Sequence, residues 1–458
     1  MTSLGAPLLP SIADATHVSL ATAQWILTAA LLAGGLATPI MGHLADGPRQ
    51  RTVVLTTLVI LIAGSVLAVF APTFAILVLA RGLQGVGFGV VPVTMAIARR
   101  HQSPAVAART VATLSVTTAV GVGLGYPLSG LLDSEFDYRA AFWLGVGVAA
   151  AALIMAVRYL PRGGGHVAGS GQLDVWSAVL MCVSLSGLLL VASDGQQLGW
   201  TSPTVLAGGP VSLLLGVAWI RRELRSSEPL VDFRVAAHRS VLTADISTLL
   251  VSASMYLYLP IVIDIVQTPP DHGVGLGESV LVAGFVLVPM SACTLAASMS
   301  FSKLASMIGQ HLMLPVGCLV FASTMVFFTF AHDALWQAFV SMALLGVGCG
   351  LTWSAMPRMI VATVAPGQTG HAMGLYQLLR GIGMALGSAL AGVLLGAFTP
   401  AGSALPDVGG YRAALLAGAG LCVTTSIVSY VLPGASLPWR VRADEAAIMP
   451  TADLGGLS

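Results

Sequence analysis

The sequence predicts an all-α membrane protein made of two six-helix halves separated by two inserted helices. Three observations lead there. Only 9% of the 458 residues are charged, and mean hydropathy is +0.89, whereas a soluble domain carries about a quarter charged residues to cover its surface. Apolar runs of about 20 residues, each long enough to cross about 30 Å of hydrocarbon, follow one another to the end of the chain. Glycine-rich signatures from the first part return in the second at an offset of about 260 residues.

Thirteen complete spans are expected near 20–43, 52–70, 73–98, 107–132, 140–159, 174–193, 203–221, 240–266, 279–301, 311–330, 334–357, 370–397 and 411–432. Gly and Pro recur within them, as spanning helices tolerate. The run Met1–Ala13 is too short to span, and reads as the second half of a first helix whose beginning is missing. It shows no signal-peptide pattern.

Arginine fixes the expected orientation. Arg49 and Arg51 lie in one connection, Arg99, Arg100 and Arg109 two spans later, and Arg158 and Arg162 two spans after that. Arg221, Arg222, Arg225, Arg234, Arg239, Lys303, Arg358, Arg440 and Arg442 continue the alternation. The opposite loops hold Arg139 and Arg412 among Asp133, Glu135, Asp137, Asp194, Asp271, Asp333 and Asp407. By the positive-inside rule the first set is cytoplasmic, and with it the C-terminus. Lys303 is the only lysine, a usage associated with GC-rich bacterial genomes.

The duplication is explicit. Gly85-Val86-Gly87-Phe88-Gly89 returns as Gly346-Val347-Gly348-Cys349-Gly350, and Gly121, Gly125 and Gly130 return as Gly383, Gly387 and Gly392. Leu44-Ala45 matches Leu304-Ala305. Spans 174–193 and 203–221 have no counterpart, so they are read as an insertion. The expected units are residues 1–165 (a six-helix half with an incomplete first helix), 166–225 (the inserted pair), 226–440 (the second half) and 441–458 (a tail). Parallel repeats with substrate bound between them are a common transporter plan.

Three motifs carry a resemblance. Gly42-His43-Leu44-Ala45-Asp46-Gly47-Pro48-Arg49-Gln50-Arg51 resembles the loop G-x-L-A-D-R-x-G-R-R of the major facilitator superfamily, with its basic tail shifted and its loop glycine replaced. A carboxylate there can cap a helix start and pair with arginine, making a latch of Gly42, Asp46, Arg49 and Arg51. Arg81-Gly82-Leu83-Gln84-Gly85 resembles that superfamily's R-G-x-Q-G motif, which implies that Arg81 takes part in proton transfer. An arginine at depth costs several kcal/mol unless paired or wet. Gly121 to Gly130 resembles the antiporter motif G-x-x-x-G-P-x-x-G-G, with Gly125-Tyr126-Pro127 in place of Gly-Pro and Ser129-Gly130 in place of Gly-Gly. Small residues four apart let helices approach closely, and Pro127 kinks the span. The motif implies export by exchange.

Leu173-Asp174-Val175-Trp176, Glu228-Pro229-Leu230-Val231-Asp232-Phe233-Arg234 and Arg380-Gly381-Ile382-Gly383 resemble the 14-helix drug:proton antiporter branch in order and position. That branch carries an acid in helix 1 before a segment ending Ala-Leu-Pro. Here Ala6-Pro7-Leu8-Leu9-Pro10 occupies the ending, and Met1 falls where the acid would stand. Of the other intramembrane charges, Asp245, Asp264 and Arg380 join Arg81 as candidates for proton coupling. Trp25, Met95 and Trp353 are candidates for an apolar substrate cavity, and Trp176, Trp200 and Trp439 for interfacial anchors.

The expectation is thus a proton-driven exporter of amphipathic or cationic small molecules such as drugs, monomeric in a bacterial inner membrane. An uptake porter for a metabolite and a transport-inactive sensor or truncated product are the alternatives. Its partners are the small molecule, protons and the bilayer, with the proton gradient as energy source and no cofactor. A net charge of +1 gives no footprint for a nucleic acid. Cys182, Cys293, Cys318, Cys349 and Cys422 all lie in apolar runs without metal-ligand spacing, as buried small hydrophobes. No G-K-[ST] phosphate loop and no G-x-S-x-G appears, so no enzymatic activity is expected.

Overall fold

A computed structural model describes residues 8–161 (apart from 19, 24, 47 and 48), 174–198, 202–226, 229–231, 233–236, 238–270, 275–365, 368–399 and 407–432. Ala6-Pro7, Gly47-Pro48, Arg162, Leu173, Trp200, Glu228, Asp232, Asp271 and the tail with Trp439, Arg440 and Arg442 lie outside the described residues, as do the side chains of Asp46 and Pro127.

Every labelled element is a helix. In chain order these are α1 (Leu9–Thr16), α2 (Trp25–Asp46), α3 (Gln50–Val69), α4 (Phe74–His101), α5 (Pro104–Glu135), α6 (Tyr138–Tyr159), α7 (Val175–Leu198) and α8 (Pro203–Arg225). Then come α9 (Arg239–Gln267), α10 (Val280–Ile308), α11 (Met313–Phe330), α12 (Leu335–Thr363), α13 (Thr369–Ala397) and α14 (Val408–Val431). Among the described residues, eleven are long and apolar enough to cross a membrane; α5 and α7 contribute only the shorter apolar stretches Ala105–Leu114 and Val175–Leu188. Hydrocarbon offers the backbone no hydrogen-bond partner, so helices are the form such segments take.

The sequence also sets the ends. Side chains of Thr73, Ser202 and Ser279 accept from the backbone N–H three residues on, opening α4, α8 and α10. Pro104 and Pro203 start α5 and α8, where a missing N–H costs nothing. Gly309, at φ +93°, closes α10 in a conformation that favours glycine. Outward, large apolar side chains such as Ile154, Leu214, Met299 and Val431 stand exposed, as lipid contact demands.

The duplication appears as packing. A Cβ on Gly85 of α4 would lie 2.2 Å from the Ala30 carbonyl oxygen of α2; one on Gly346 of α12 would lie 2.3 Å from that of Met290 in α10. The same close crossing is made twice at the same sequence offset. The copies differ in one respect: α4 tightens into a 3-10 turn at Val86–Gly89, whereas α12 stays α-helical.

The halves meet along two seams, α2 against α13 and α5 against α10. The inserted α7 and α8 pair with each other, and α7 lies on both α2 and α13. Met181, Leu185 and Trp219 of the pair pack with Leu375 and Leu378 of α13 and Leu36 and Ile40 of α2.

Candidate functional site: a latched seam and buried charges

At the arginine-rich end of the α2–α13 seam, the first motif does its work through small residues. A Cβ on Gly42 would fall 2.6 Å from the Gly370 carbonyl oxygen and 3.0 Å from the Gly374 Cα, so only glycine permits this crossing. Beside it, His43 Nδ1 and His371 Nε2 share a hydrogen bond of 2.8 Å, with ring centroids 4.8 Å apart and edge to face. The halves are therefore joined by a histidine pair that the motif pattern did not single out.

The arginines of the motif serve other ends. Arg51 Nη2 donates to the Val157 carbonyl oxygen at 2.8 Å, tying the start of α3 to the last turn of α6. Arg49 is exposed at the N-cap of α3, and Gln50 donates to the Ala45 carbonyl across the loop. Asp46 ends α2, its side chain being outside the description. Of the latch expected from Gly42, Asp46, Arg49 and Arg51, Gly42 makes the glycine crossing, joined by two histidines, and the Asp46 side chain lies outside the described residues.

Arg81 lies on α4 and is 1% exposed. Its Nη1 donates to Gln84 Oε1 at 2.7 Å, its Nε to the Ile26 carbonyl at 3.4 Å, and Phe142 of α6 stands 5.9 Å from the guanidinium carbon. Gln84 Nε2 in turn donates to Ser65 Oγ of α3 at 3.1 Å. One arginine thus connects α2, α3, α4 and α6, and it does not snorkel to an interface.

Among its described residues the second half holds two buried charges, Asp245 and Arg380. Asp245 of α9 is 3% exposed, and neither carboxylate oxygen meets a donor among the described residues. Arg380 of α13 is as buried, its guanidinium carbon 3.8 Å above the Trp353 ring centroid. Asp264 sits apart, half-buried at the far end of α9, where Tyr411 Oη donates to its Oδ2 at 2.5 Å and ties α14 to α9. That contact joins the ends of two helices.

The cavity candidates divide. Met95 is fully buried in a cluster shared with Val241 and Ala244 of α9, so it lies where the halves meet. Trp353 supports Arg380. Trp25 is 43% exposed at the start of α2. Trp176, at the start of α7, is 70% exposed.

The antiporter-motif helix corrects one expectation. The backbone of α5 runs helical through Pro127, and Ser129 Oγ donates to the buried Gly125 carbonyl at 2.7 Å. But a Cβ on Gly121 or Gly130 would meet no described atom within 4 Å, so neither makes a tight crossing with the described residues. The repeat partners of Gly121 and Gly125 do: Cβ atoms on Gly383 and Gly387 would lie 2.3 Å from the Leu249 carbonyl and 2.0 Å from the Ala253 carbonyl of α9.

Sequence reasoning also missed Glu223 of α8, which is 2% exposed. It accepts from Ser177 Oγ, from Trp219 Nε1 at 2.9 Å and from the Val231 backbone N–H at 3.4 Å. Asp174 and Arg222 pair beside it through contacts of 2.9 and 3.1 Å, and the Arg222 fork holds the Asp174 carboxyl below its usual range. The motif fragments around Asp174 and Val231 thus close the inserted pair onto the start of the second half. A charge mid-pattern in an arginine-rich segment, at Glu223, was the available signal.

Comparisons with known proteins agree with this architecture. The family model described as Major Facilitator Superfamily matches residues 1–245 and again 244–454, one match per half. The multidrug efflux pump LfrA of Mycolicibacterium smegmatis is 26% identical over 467 residues, covering 98% of this chain and 89% of that protein. The multidrug resistance protein Stp of Mycobacterium tuberculosis is 26% identical over 401 residues, covering 86% and 72%. In fold, the chain is similar to the human organic anion transporter MFSD10 (TETRAN), with a TM-score of 0.66 at 17% identity over 93% of this chain and 95% of that one. With both halves matched, the chain belongs to the Major Facilitator Superfamily.

Proposed function

We propose that this transporter exports amphipathic small molecules, drugs among them, in exchange for protons by alternating access across a bacterial inner membrane. Asp245 carries the reading. An ionised carboxylate left unpaired at that depth costs several kcal/mol, so its charge follows whether water or a partner reaches it. That dependence is what coupling a proton to a conformational cycle requires. Arg81 and Arg380 set the field on either side of the seam, and the Gly42–Gly370 crossing with His43 and His371 closes the arginine-rich, cytoplasmic face. The relatives named for multidrug resistance and efflux support the substrate class. In this proposal the chain acts as a monomer without cofactor or catalytic activity, its C-terminus is cytoplasmic, and its units divide at residues 165, 225 and 440. Inside-out membrane vesicles test it. Substrate accumulation should follow an acid-inside pH gradient and stop when that gradient is collapsed; accumulation indifferent to collapse would reject proton coupling.

A further inference from the structure

Arg380 poses a problem that the exchange mechanism does not solve. It is 3% exposed, and none of its Nε, Nη1 and Nη2 meets an acceptor among the described residues. Gln377, one turn away on α13, has an Oε1 without a donor and still does not reach it. Asp245 is no counter-ion either, because both its oxygens lack donors in the same structure. The two described salt bridges, Asp137–Arg139 and Asp174–Arg222, lie elsewhere. A guanidinium offers five donors in a fixed fork and stays charged. Buried without an anion it costs several kcal/mol.

Its seat is rigid. Gly383 and Gly387, one and two turns along, press α13 onto the α9 backbone, and the Trp353 indole supports the guanidinium face at 3.8 Å. Stacking on the face leaves the N–H edges for a second ligand. Trp353 Nε1 adds another donor without an acceptor among the described residues. A fixed fork, an aromatic wall and no competing protein anion among the described residues are what recognition of a carboxylate-like group on an apolar body needs.

We propose that Arg380 on Trp353 is the subsite for the anionic group of a transported amphipath, so that the preferred cargo is an organic acid and not a cation. The proposal rests on the transporter reading, but its test reads binding and not flux, so the two can fail separately. The purified full chain in phosphatidylcholine nanodiscs is titrated calorimetrically with 1-naphthoate, methyl 1-naphthoate and 1-naphthylmethylammonium, one ring system carrying a negative, neutral or positive group. The naphthoate should bind about tenfold more tightly than either other probe, as one charge-assisted fork is worth. Arg380→Gln should bring the three within about twofold, and Arg380→Lys, a point charge without the fork, should keep part of the preference. Equal binding of the three probes by the natural chain overturns the proposal, and so does a naphthoate preference that survives in Arg380→Gln. If Arg380→Gln is not monodisperse on gel filtration, the natural chain and Arg380→Lys decide. Nanodiscs containing phosphatidylglycerol separate the other source of an anion. Loss of naphthoate binding there, to a headgroup that Arg380→Gln releases, would assign the subsite to lipid and overturn the cargo reading.

Discussion

Arg81 and Asp245 are buried alike and differ in their company. Arg81 is held by Gln84, the Ile26 carbonyl and the Phe142 ring, so Arg81→Ala removes a joint among four helices as well as a charge. We expect proton-coupled transport to fall to background in Arg81→Ala while the protein still inserts, measured as efflux normalised to membrane content. Rates like those of the natural chain would sink its role. Asp245 has no described donor to lose, so Asp245→Asn, nearly the same shape, should leave fold and substrate affinity within about twofold and abolish gradient-driven accumulation. Unchanged accumulation would remove Asp245 from the coupling step. Glu223 is a third case, since its three donors become partly unmatched on substitution. Glu223→Gln should lower thermal stability by about 1–3 kcal/mol, the cost of leaving buried donors unsatisfied, without altering which substrates are carried.

At the scale of elements, the α2–α13 and α9–α13 crossings depend on backbone contact. Gly387→Val would drive a branched side chain into the Ala253 carbonyl, where a single Cβ already lies 2.0 Å away. It should lower the melting temperature and yield of the purified protein far more than Gly121→Val, whose Cβ meets no described atom within 4 Å. Equal effects would refute the packing account. These two glycines show how far the sequence reached. Glycine spacing marked both helices, but not which one was in tight contact. Helices that are apolar nearly all round give no hydrophobic face, so depth and repeat are legible while the direction each residue points is not. For the same reason Arg81 could be placed at depth from its position along a span, whereas the His43–His371 pair could not. Its members lie 328 residues apart on different helices, and no local periodicity brings them together.

For the whole molecule, the duplication was the most informative feature of the sequence, because Gly85 and Gly346 make one contact twice. It predicts that the halves move as units about the α2–α13 and α5–α10 seams, with the inserted pair riding on the first. The central claim is that a proton is exchanged for an amphipath through Asp245. The direct measurement is made in liposomes containing the purified chain and a trapped pH indicator, with no pH gradient imposed at the start. An outward substrate gradient should drive counter-movement of protons into the lumen, acidifying it at a rate that rises with substrate and vanishes in Asp245→Asn. Substrate flux without any change of lumenal pH, or acidification that Asp245→Asn leaves intact, would contradict the account.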